Sequence, residues 1–166
     1  MSPIELELRK LTDRAAIHDV LARYFQGLDR GDSGQVRSCF TDNVIAHYDE
    51  RPRVTGIEAV MDSFRTFRRI KDGSMRLTTH FMGNMNFLKL DGDVAETETN
   101  AIAFLVQDDQ SPNGLIAMRS LRYVDRLQRA GDGWRIAVRR HTLDWSCQAP
   151  ADFSLTYAQR ITGMPA

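Results

Sequence analysis

Apolar side chains near the N-terminus recur with the 3.6-residue period of an amphipathic helix. The segment Ser2-Pro3-Ile4-Glu5 has the form of a capping box with proline at the first helical position, so the helix is expected to begin there. Gly31-Asp32-Ser33-Gly34 ends it, which leaves Asp29 where the helix runs out. The apolar stripe comprises Leu8, Leu11, Ala15, Val20, Tyr24 and Leu28.

Shorter elements are expected between residues 33 and 71. Val36, Cys39 and Phe40 indicate a short second helix, and residues 44–48 have the composition of a strand. Thr55-Gly56-Ile57-Glu58 matches a second capping box and predicts a helix over residues 56–69.

From residue 75 onward the pattern becomes extended. Four strands are expected near 75–90, 94–107, 114–129 and 133–145, separated by turn sequences, and they predict an antiparallel meander. Helices followed by hairpin-linked strands are typical of an α+β domain with helices against one face of a curved sheet. In the tail at 147–166, the apolar residues could dock on a neighbouring subunit or cover the sheet. These residues are Phe153, Leu155 and Tyr157.

The composition fits one domain spanning residues 1–166. Lys plus Arg total 22 and Asp plus Glu total 22, so no net field favours nucleic acid or an anionic membrane. The longest apolar run, Ala101–Val106, is too short to span a bilayer, and the N-terminus lacks the pattern of a signal peptide, so a cytoplasmic location is expected. Cys39 and Cys147 form no CxxC pair and are expected to be reduced thiols.

Four histidines are present, at positions 18, 47, 80 and 141. No HExxH motif or closely spaced Cys and His set occurs, so no metal site is predicted. His80 differs from the others, because strand alternation places it on one face with Met82 and Asn84, as in a pocket wall. An imidazole can move a proton in a dry cavity when a carboxylate fixes its tautomer, and Asp29 is the candidate partner.

Several short motifs resemble, in order, the SnoaL-like branch of the nuclear transport factor 2-like superfamily. The resemblance covers residues 9–146 and implies a cone, in which a strongly bent mixed sheet wrapped by helices encloses an apolar cavity. The motifs are Arg14-Ala15-Ala16-Ile17-His18-Asp19, Arg23-Tyr24-Phe25-Gln26-Gly27-Leu28-Asp29-Arg30-Gly31-Asp32, Phe40-Thr41-Asp42-Asn43, Gly56-Ile57-Glu58-Ala59-Val60, Thr79-His80-Phe81-Met82-Gly83-Asn84 and Gly133-Trp134-Arg135-Ile136.

Within that superfamily the chain is most similar to the group of scytalone dehydratase, hexachlorocyclohexane dehydrochlorinase and bile acid 7α-dehydratase. The resemblance implies that Asp29 and His80 form a catalytic dyad. It further implies substrate contacts from Tyr24, from Tyr48, and from either Arg139 or Arg140, of which only one can enter the cavity. The second strand histidine of scytalone dehydratase and the extra carboxylate of the bile acid enzyme have no clear counterpart. Glu98 and Asn100 lie nearby, on a strand expected to line the pocket.

These features favour a cofactor-independent lyase or isomerase acting on a small, hydrophobic, cyclic substrate. Two alternatives stay open: a non-catalytic binding or dimerisation module, and a partner subunit of a ring-hydroxylating oxygenase. A homo-oligomer, dimeric or trimeric, is expected in each case. The local basic run is interpreted as a solvated helix face. It comprises Arg65, Arg68, Arg69, Lys71 and Arg76.

Overall fold

A computed structural model describes residues 2–108, 114–131 and 133–151. Four helices and six strands are present in this part of the chain. They are α1 (Pro3–Arg30), α2 (Ser33–Arg37), β1 (Phe40–Tyr48), β2 (Val54–Thr55), α3 (Ile57–Ser63), α4 (Arg65–Lys71), β3 (Met75–Asp91), β4 (Val94–Gln107), β5 (Leu115–Ala130) and β6 (Gly133–Pro150). The tail residues Phe153, Leu155 and Tyr157 lie outside the described residues, and β6 continues past the predicted end of the core to Pro150.

The six strands form one curved, open, mixed sheet in the order β2-β1-β6-β5-β4-β3. Strands β3 to β6 pair antiparallel with their neighbours in sequence, which confirms the predicted meander. Strand β1 lies parallel to β6, and the short β2 pairs antiparallel with β1. The fold is therefore α+β, as the sequence predicted.

Helix α1 begins and ends where the sequence predicted. Ser2 Oγ accepts from the Glu5 amide and the Glu5 carboxylate accepts from the Ser2 amide, while Gly31 closes the helix with a φ of 69°. Leu8 and Leu11 belong to the apolar stripe but stay exposed, because the buried face of α1 starts only at Asp13. No helix among the described residues is long and apolar enough to cross a membrane.

The second helix is shorter than predicted, ending at Arg37 instead of including Cys39 and Phe40. Both residues are buried. The Cys39 carbonyl accepts a hydrogen bond from the Ile136 amide at 2.8 Å, so pairing with β6 draws this segment into the sheet. Phe40 consequently opens β1, four residues before the predicted start.

The predicted helix over 56–69 is broken at Phe64, which has a ψ of 103°. The break turns the Phe64 ring toward Tyr48 and Tyr24, with centroids 5.6 and 6.3 Å away, so aromatic packing overrides the helical pattern. The expected capping box at Thr55 is absent, because Thr55 pairs with Ile45 in the sheet and Gly56 caps α3 without a side chain.

Gly27 lies where α1 crosses α2. A Cβ added there would lie 2.7 Å from Val36 Cγ2 and 3.1 Å from the Val36 nitrogen. We expect Gly27→Ala to lower the free energy of unfolding by about 1–3 kcal/mol, because overpacking outweighs the helix propensity of alanine. Urea denaturation measures the effect. Gly34→Ala is the control, since its Cβ would approach only Asp32 Oδ1, at 3.4 Å. Equal destabilisation of both variants would contradict the prediction.

Candidate active site

Asp29 and His80 contact each other directly, although 51 residues separate them in the chain. Asp29 Oδ1 lies 2.6 Å from His80 Nδ1, and Asp29 Oδ2 accepts the His80 backbone amide at 2.8 Å. The last turn of α1 supplies the carboxylate and β3 supplies the histidine. Two hydrogen bonds therefore fix both the position of the strand and the orientation of the imidazole.

The contact with Asp29 determines which ring nitrogen of His80 is left for chemistry. An ionised carboxylate can only accept, so Nδ1 carries the proton and Nε2 keeps its lone pair. The His80 side chain is 8% exposed and that of Asp29 is 18% exposed. The Phe25 ring stacks on the imidazole with a centroid separation of 5.7 Å and an interplanar angle of 27°. This arrangement can hold a base ready for proton transfer.

His80 lines a cavity of about 120 Å³ between the helices and the concave face of the sheet. Its inner wall is mainly apolar and aromatic, with Leu28, Ala103 and Leu121 beside the tyrosines. An apolar cavity of about 150 Å³ suffices to bind a benzene ring. The space beside His80 is thus of the order of one small ring.

Three tyrosines contribute to the cavity wall, and two of them, Tyr24 and Tyr48, are sequence-predicted site residues. The third is Tyr123 on β5, whose ring meets Tyr24 edge to face at 6.1 Å. Burial raises the pKa of Tyr24 above its ordinary value of 10.0 and raises the pKa values of Tyr48 and Tyr123 well above it. At neutral pH the three phenols therefore stay protonated and can donate hydrogen bonds.

Arg139 points inward and Arg140 outward, which answers the question that sequence alternation left open. The Arg139 side chain is fully buried, and its Nε and Nη2 donate to the two Asp125 oxygens at 2.8 and 2.7 Å. Its guanidinium lies 4.1 Å from the Tyr24 ring centroid and 4.8 Å from that of Tyr123. Arg139 thus lies behind the tyrosines and is absent from the lining of the cavity beside His80.

Asn84 was expected on the same strand face as His80 and Met82, but the structure exposes it. Met82 pairs with Ala101 and Met85 pairs with Thr99, so β3 has one residue more than β4 between these pairs. This bulge shifts the alternation, and Met85 packs against the core in the place expected for residue 84.

Asn100 was also expected in the pocket, yet its neighbours Thr99 and Ala101 are the residues buried on the concave face. Asn100 pairs with Arg122 on β5, and neither lines the cavity. Glu98, two residues earlier, forms an ion pair with Arg122 on the same face. Because alternate residues of a strand face opposite sides of the sheet, Glu98, Asn100 and Arg122 lie on the side away from His80.

His141 on β6 lines the cavity, and sequence reasoning did not assign it to the site. Its Nδ1 lies 3.3 Å from Asp49 Oδ1, and its ring meets that of Tyr123 edge to face at 4.8 Å. Burial lowers the pKa of His141 from 6.5 to about 4, against the attraction of Asp49. Asp49 has a φ of 54°, and its side chain also accepts the Leu143 amide at 2.8 Å.

The signal that could have identified His141 was strand alternation, since residues 139 and 141 share a face of β6. This alternation could not be applied to His141, because the sequence did not determine whether Arg139 or Arg140 faces inward. In the described ranges, 2–108, 114–131 and 133–151, no three His, Cys, Asp or Glu side chains converge in the manner of a metal centre.

The curved sheet and the wrapping helices, with the cavity beside His80, form an α+β fold of the nuclear transport factor 2-like kind. The sequence of this chain matches the family model of the SnoaL-like domain over residues 9–140. The chain belongs to the SnoaL-like family. No curated relative matches its sequence.

Solved structures with this fold cover nearly the whole chain. A scytalone dehydratase-like protein from Novosphingobium aromaticivorans is 17% identical, covers 94% of this chain and 97% of its own, and gives a TM-score of 0.73. A hexachlorocyclohexane dehydrochlorinase is 15% identical, with coverages of 92% and 98% and a TM-score of 0.75. A nuclear transport factor 2-like protein with a cystatin-like fold, also from N. aromaticivorans, is 21% identical, with coverages of 85% and 88% and a TM-score of 0.68. At these identities the likeness is one of fold.

The low pKa of His141 predicts a specific pH dependence of stability. Between about pH 6.5 and about pH 4 the unfolded chain binds a proton at this histidine and the folded chain does not, so stability falls as pH falls through this window. We expect the free energy of unfolding to drop by about 2–3 kcal/mol more in the wild type than in His141→Gln between pH 7 and pH 4.

Urea denaturation at a series of pH values measures this difference. His18→Gln is the control, because His18 is exposed on α1, and it should keep the wild-type profile. Coincident profiles for His141→Gln and the wild type would contradict the burial argument.

Proposed function

We propose that this protein is a cofactor-independent lyase or isomerase in which His80 removes a proton from carbon and Asp29 orients the imidazole. The observation that carries the proposal is the 2.6 Å contact between Asp29 Oδ1 and His80 Nδ1 at the wall of a small, largely apolar cavity. Solved neighbours described as dehydratase-like and as dehydrochlorinases support the same reaction class.

In the proposed reaction, His80 Nε2 takes a proton from a carbon of the bound ring. In an elimination, the C–H electron pair forms a C=C bond and a leaving group on the adjacent carbon departs with its own electron pair; in a dehydration the imidazolium then gives the proton to the departing hydroxide, which leaves as water. In an isomerisation of an unsaturated ring ketone no group leaves: the C–H electron pair forms the C=C bond of an enolate while the carbonyl π pair moves onto oxygen, and the imidazolium returns the proton to another carbon as the carbonyl re-forms. Asp29 stabilises the imidazolium throughout, because its negative charge lies against the protonated ring.

The tyrosines are the proposed donors to negative charge that develops on the substrate. Tyr24, Tyr48 and Tyr123 border the cavity, and their raised pKa values keep their hydroxyl groups protonated. A donor held in a dry pocket stabilises an oxyanion more than the same donor would in water. The cavity volume of about 120 Å³ favours a small, hydrophobic, cyclic group as the reacting part.

The alternative of a non-catalytic binding module requires no contact between Asp29 and His80. A carboxylate that pointed to solvent would favour that alternative, but both oxygens of Asp29 are bonded to His80. The further alternative, a partner subunit of a ring-hydroxylating oxygenase, would require a large oxygenase chain. The contact between Asp29 and His80 favours the dyad over the non-catalytic binding module.

Proton exchange at carbon tests the dyad with simple ring compounds in place of the natural substrate. A panel of small cyclic ketones is incubated with the protein in D₂O, and deuterium incorporation at carbon is followed by NMR. We expect exchange by His80→Ala to fall at least about 100-fold below the wild type, and Asp29→Asn to lose about 10- to 100-fold. Thermal-shift measurements check that the variants still bind the same ketones.

His47→Ala is the matched control, because His47 also lies on a strand but does not line the cavity. Since Asp29 is proposed to act through His80, adding Asp29→Asn to His80→Ala should cause no further loss of exchange. Full exchange by His80→Ala would exclude its role as the base.

We also propose that the protein forms a homo-oligomer through the outer face of the sheet. Phe81 and Trp145 are 63% and 52% exposed, and strand register places them in one row across Ile102 and Ser120. We expect Phe81→Asp combined with Trp145→Asp to reduce the mass measured by light scattering to that of the monomer, since a buried unpaired charge disrupts an apolar contact. Leu11→Asp, on α1, is the control, and an unchanged mass for the double variant would locate the interface elsewhere.

A further inference from the structure

Arginines surround the mouth of the cavity, although the chain as a whole carries no net charge. Arg51 and Arg119 line the cavity beside His80 and also an outer recess of about 320 Å³, whose wall includes Arg65. Arg51 and Arg65 further border a third recess of about 590 Å³. Arg51 and Arg119 thus border both the inner cavity and the outer recess, and Arg51 and Arg65 border both the outer recess and the third recess.

Arg119 lies on the concave face of β5, one of the two central strands of the sheet. Its neighbours on that face, Ala117 and Leu121, are buried and apolar. Within the described residues, no carboxylate forms an ion pair with Arg119, in contrast to the other arginines of β5. Those are Arg122 with Glu98 and Asp144, Arg126 with Glu96, and Arg129 with Asp13 and Asp93.

Arg51 and Arg65 likewise form no ion pair within the part of the chain that the structure describes. Arg51 lies 5.6 Å from the Tyr48 ring centroid, which draws it toward the cavity. Two carboxylates also border these spaces, Asp49 in the inner cavity and Asp62 in the third recess. Asp49 accepts the Leu143 amide and lies 3.3 Å from His141. The local balance is positive, because five arginines line these spaces, Arg51, Arg65, Arg68, Arg69 and Arg119, against these two carboxylates.

The size of the inner cavity supports a ligand in two parts. At about 120 Å³ its volume is of the order of one small ring, whereas the adjoining recess is more than twice as large and bordered by arginines. Guanidinium groups beside a low-dielectric wall attract anions and bind carboxylate or phosphate oxygens with two parallel hydrogen bonds.

We propose that Arg51, Arg65 and Arg119 form an anion-binding subsite for a carboxylate or phosphate group on a substrate whose apolar ring enters the cavity beside His80. The assignment of the ring to that cavity rests on the proposed function. The anion preference itself does not depend on catalysis. It extends the expected substrate class from neutral ring compounds to ring compounds that carry an acidic group.

Isothermal titration calorimetry with three small probes tests the subsite. The probes are 4-phenylbutyrate, phenyl phosphate and the neutral 4-phenylbutanamide. We expect at least one of the two anions to bind wild-type protein about ten-fold or more tightly than the amide, and less tightly as salt increases. The stronger anion identifies carboxylate or phosphate as the preferred group.

Substitutions of single arginines show which side chains produce the anion preference. We expect Arg119→Gln and Arg51→Gln each to remove most of the anion preference, while Arg119→Lys keeps a part of it because the charge remains. Arg53→Gln is the matched control, since Arg53 lies in the same loop as Arg51 and lines none of the three spaces. It should leave the preference unchanged.

His80→Ala separates this proposal from the catalytic one, because it should retain the anion preference while losing proton exchange. Equal affinity for all three probes, including undetectable binding of all three, would overturn the subsite. Equal losses from Arg53→Gln and Arg51→Gln would also overturn it, because they would indicate a diffuse attraction. Neither result would bear on the role of His80 in exchange.

Discussion

The Asp29 carboxylate joins the end of the first helix to the third strand through both of its oxygens. One accepts the His80 backbone amide and the other meets the ring, so one side chain aligns a strand and selects a tautomer. Helix α1 must therefore end at the right height above the sheet, which Gly31 and the close crossing at Gly27 help to ensure. The contact between Asp29 and His80 thus depends on where α1 ends and on how closely it crosses α2.

A buried ion pair between Arg139 and Asp125 lies behind the tyrosines of the cavity wall. Arg139 and Asp125 are both fully buried, and removing either partner would leave an uncompensated charge at a cost of about 3–5 kcal/mol. The rings of Tyr24 and Tyr123 face the guanidinium and partly replace the water it has lost. The aromatic wall therefore contacts the buried cation on one side and lines the cavity beside His80 on the other.

The arginines at the mouth of the cavity differ from the buried Arg139 in exposure and in partners. There the arginines are accessible and free of carboxylate partners among the described residues, whereas the guanidinium of Arg139 is held by a carboxylate. An accessible guanidinium can exchange water for a ligand, but a buried and bonded one cannot do so without losing its partner. The neutral composition of the whole chain conceals this local difference, because electrostatic attraction depends on the position of each charge.

The sequence by itself determined the elements whose cause is local: the capping box and length of α1, the four-strand meander and the α+β class. Its motifs also indicated Asp29 and His80 as a catalytic dyad, which the spacing of the two residues in the sequence supports only weakly by itself. Tertiary structure decided the rest, because packing partners distant in sequence compete with local pattern. Aromatic packing at Phe64 broke a predicted helix, one bulge exposed Asn84, and burial against Asp125 turned Arg139 inward. A shift of one residue reverses every side chain that follows on a strand, so the site could not be completed from periodicity alone.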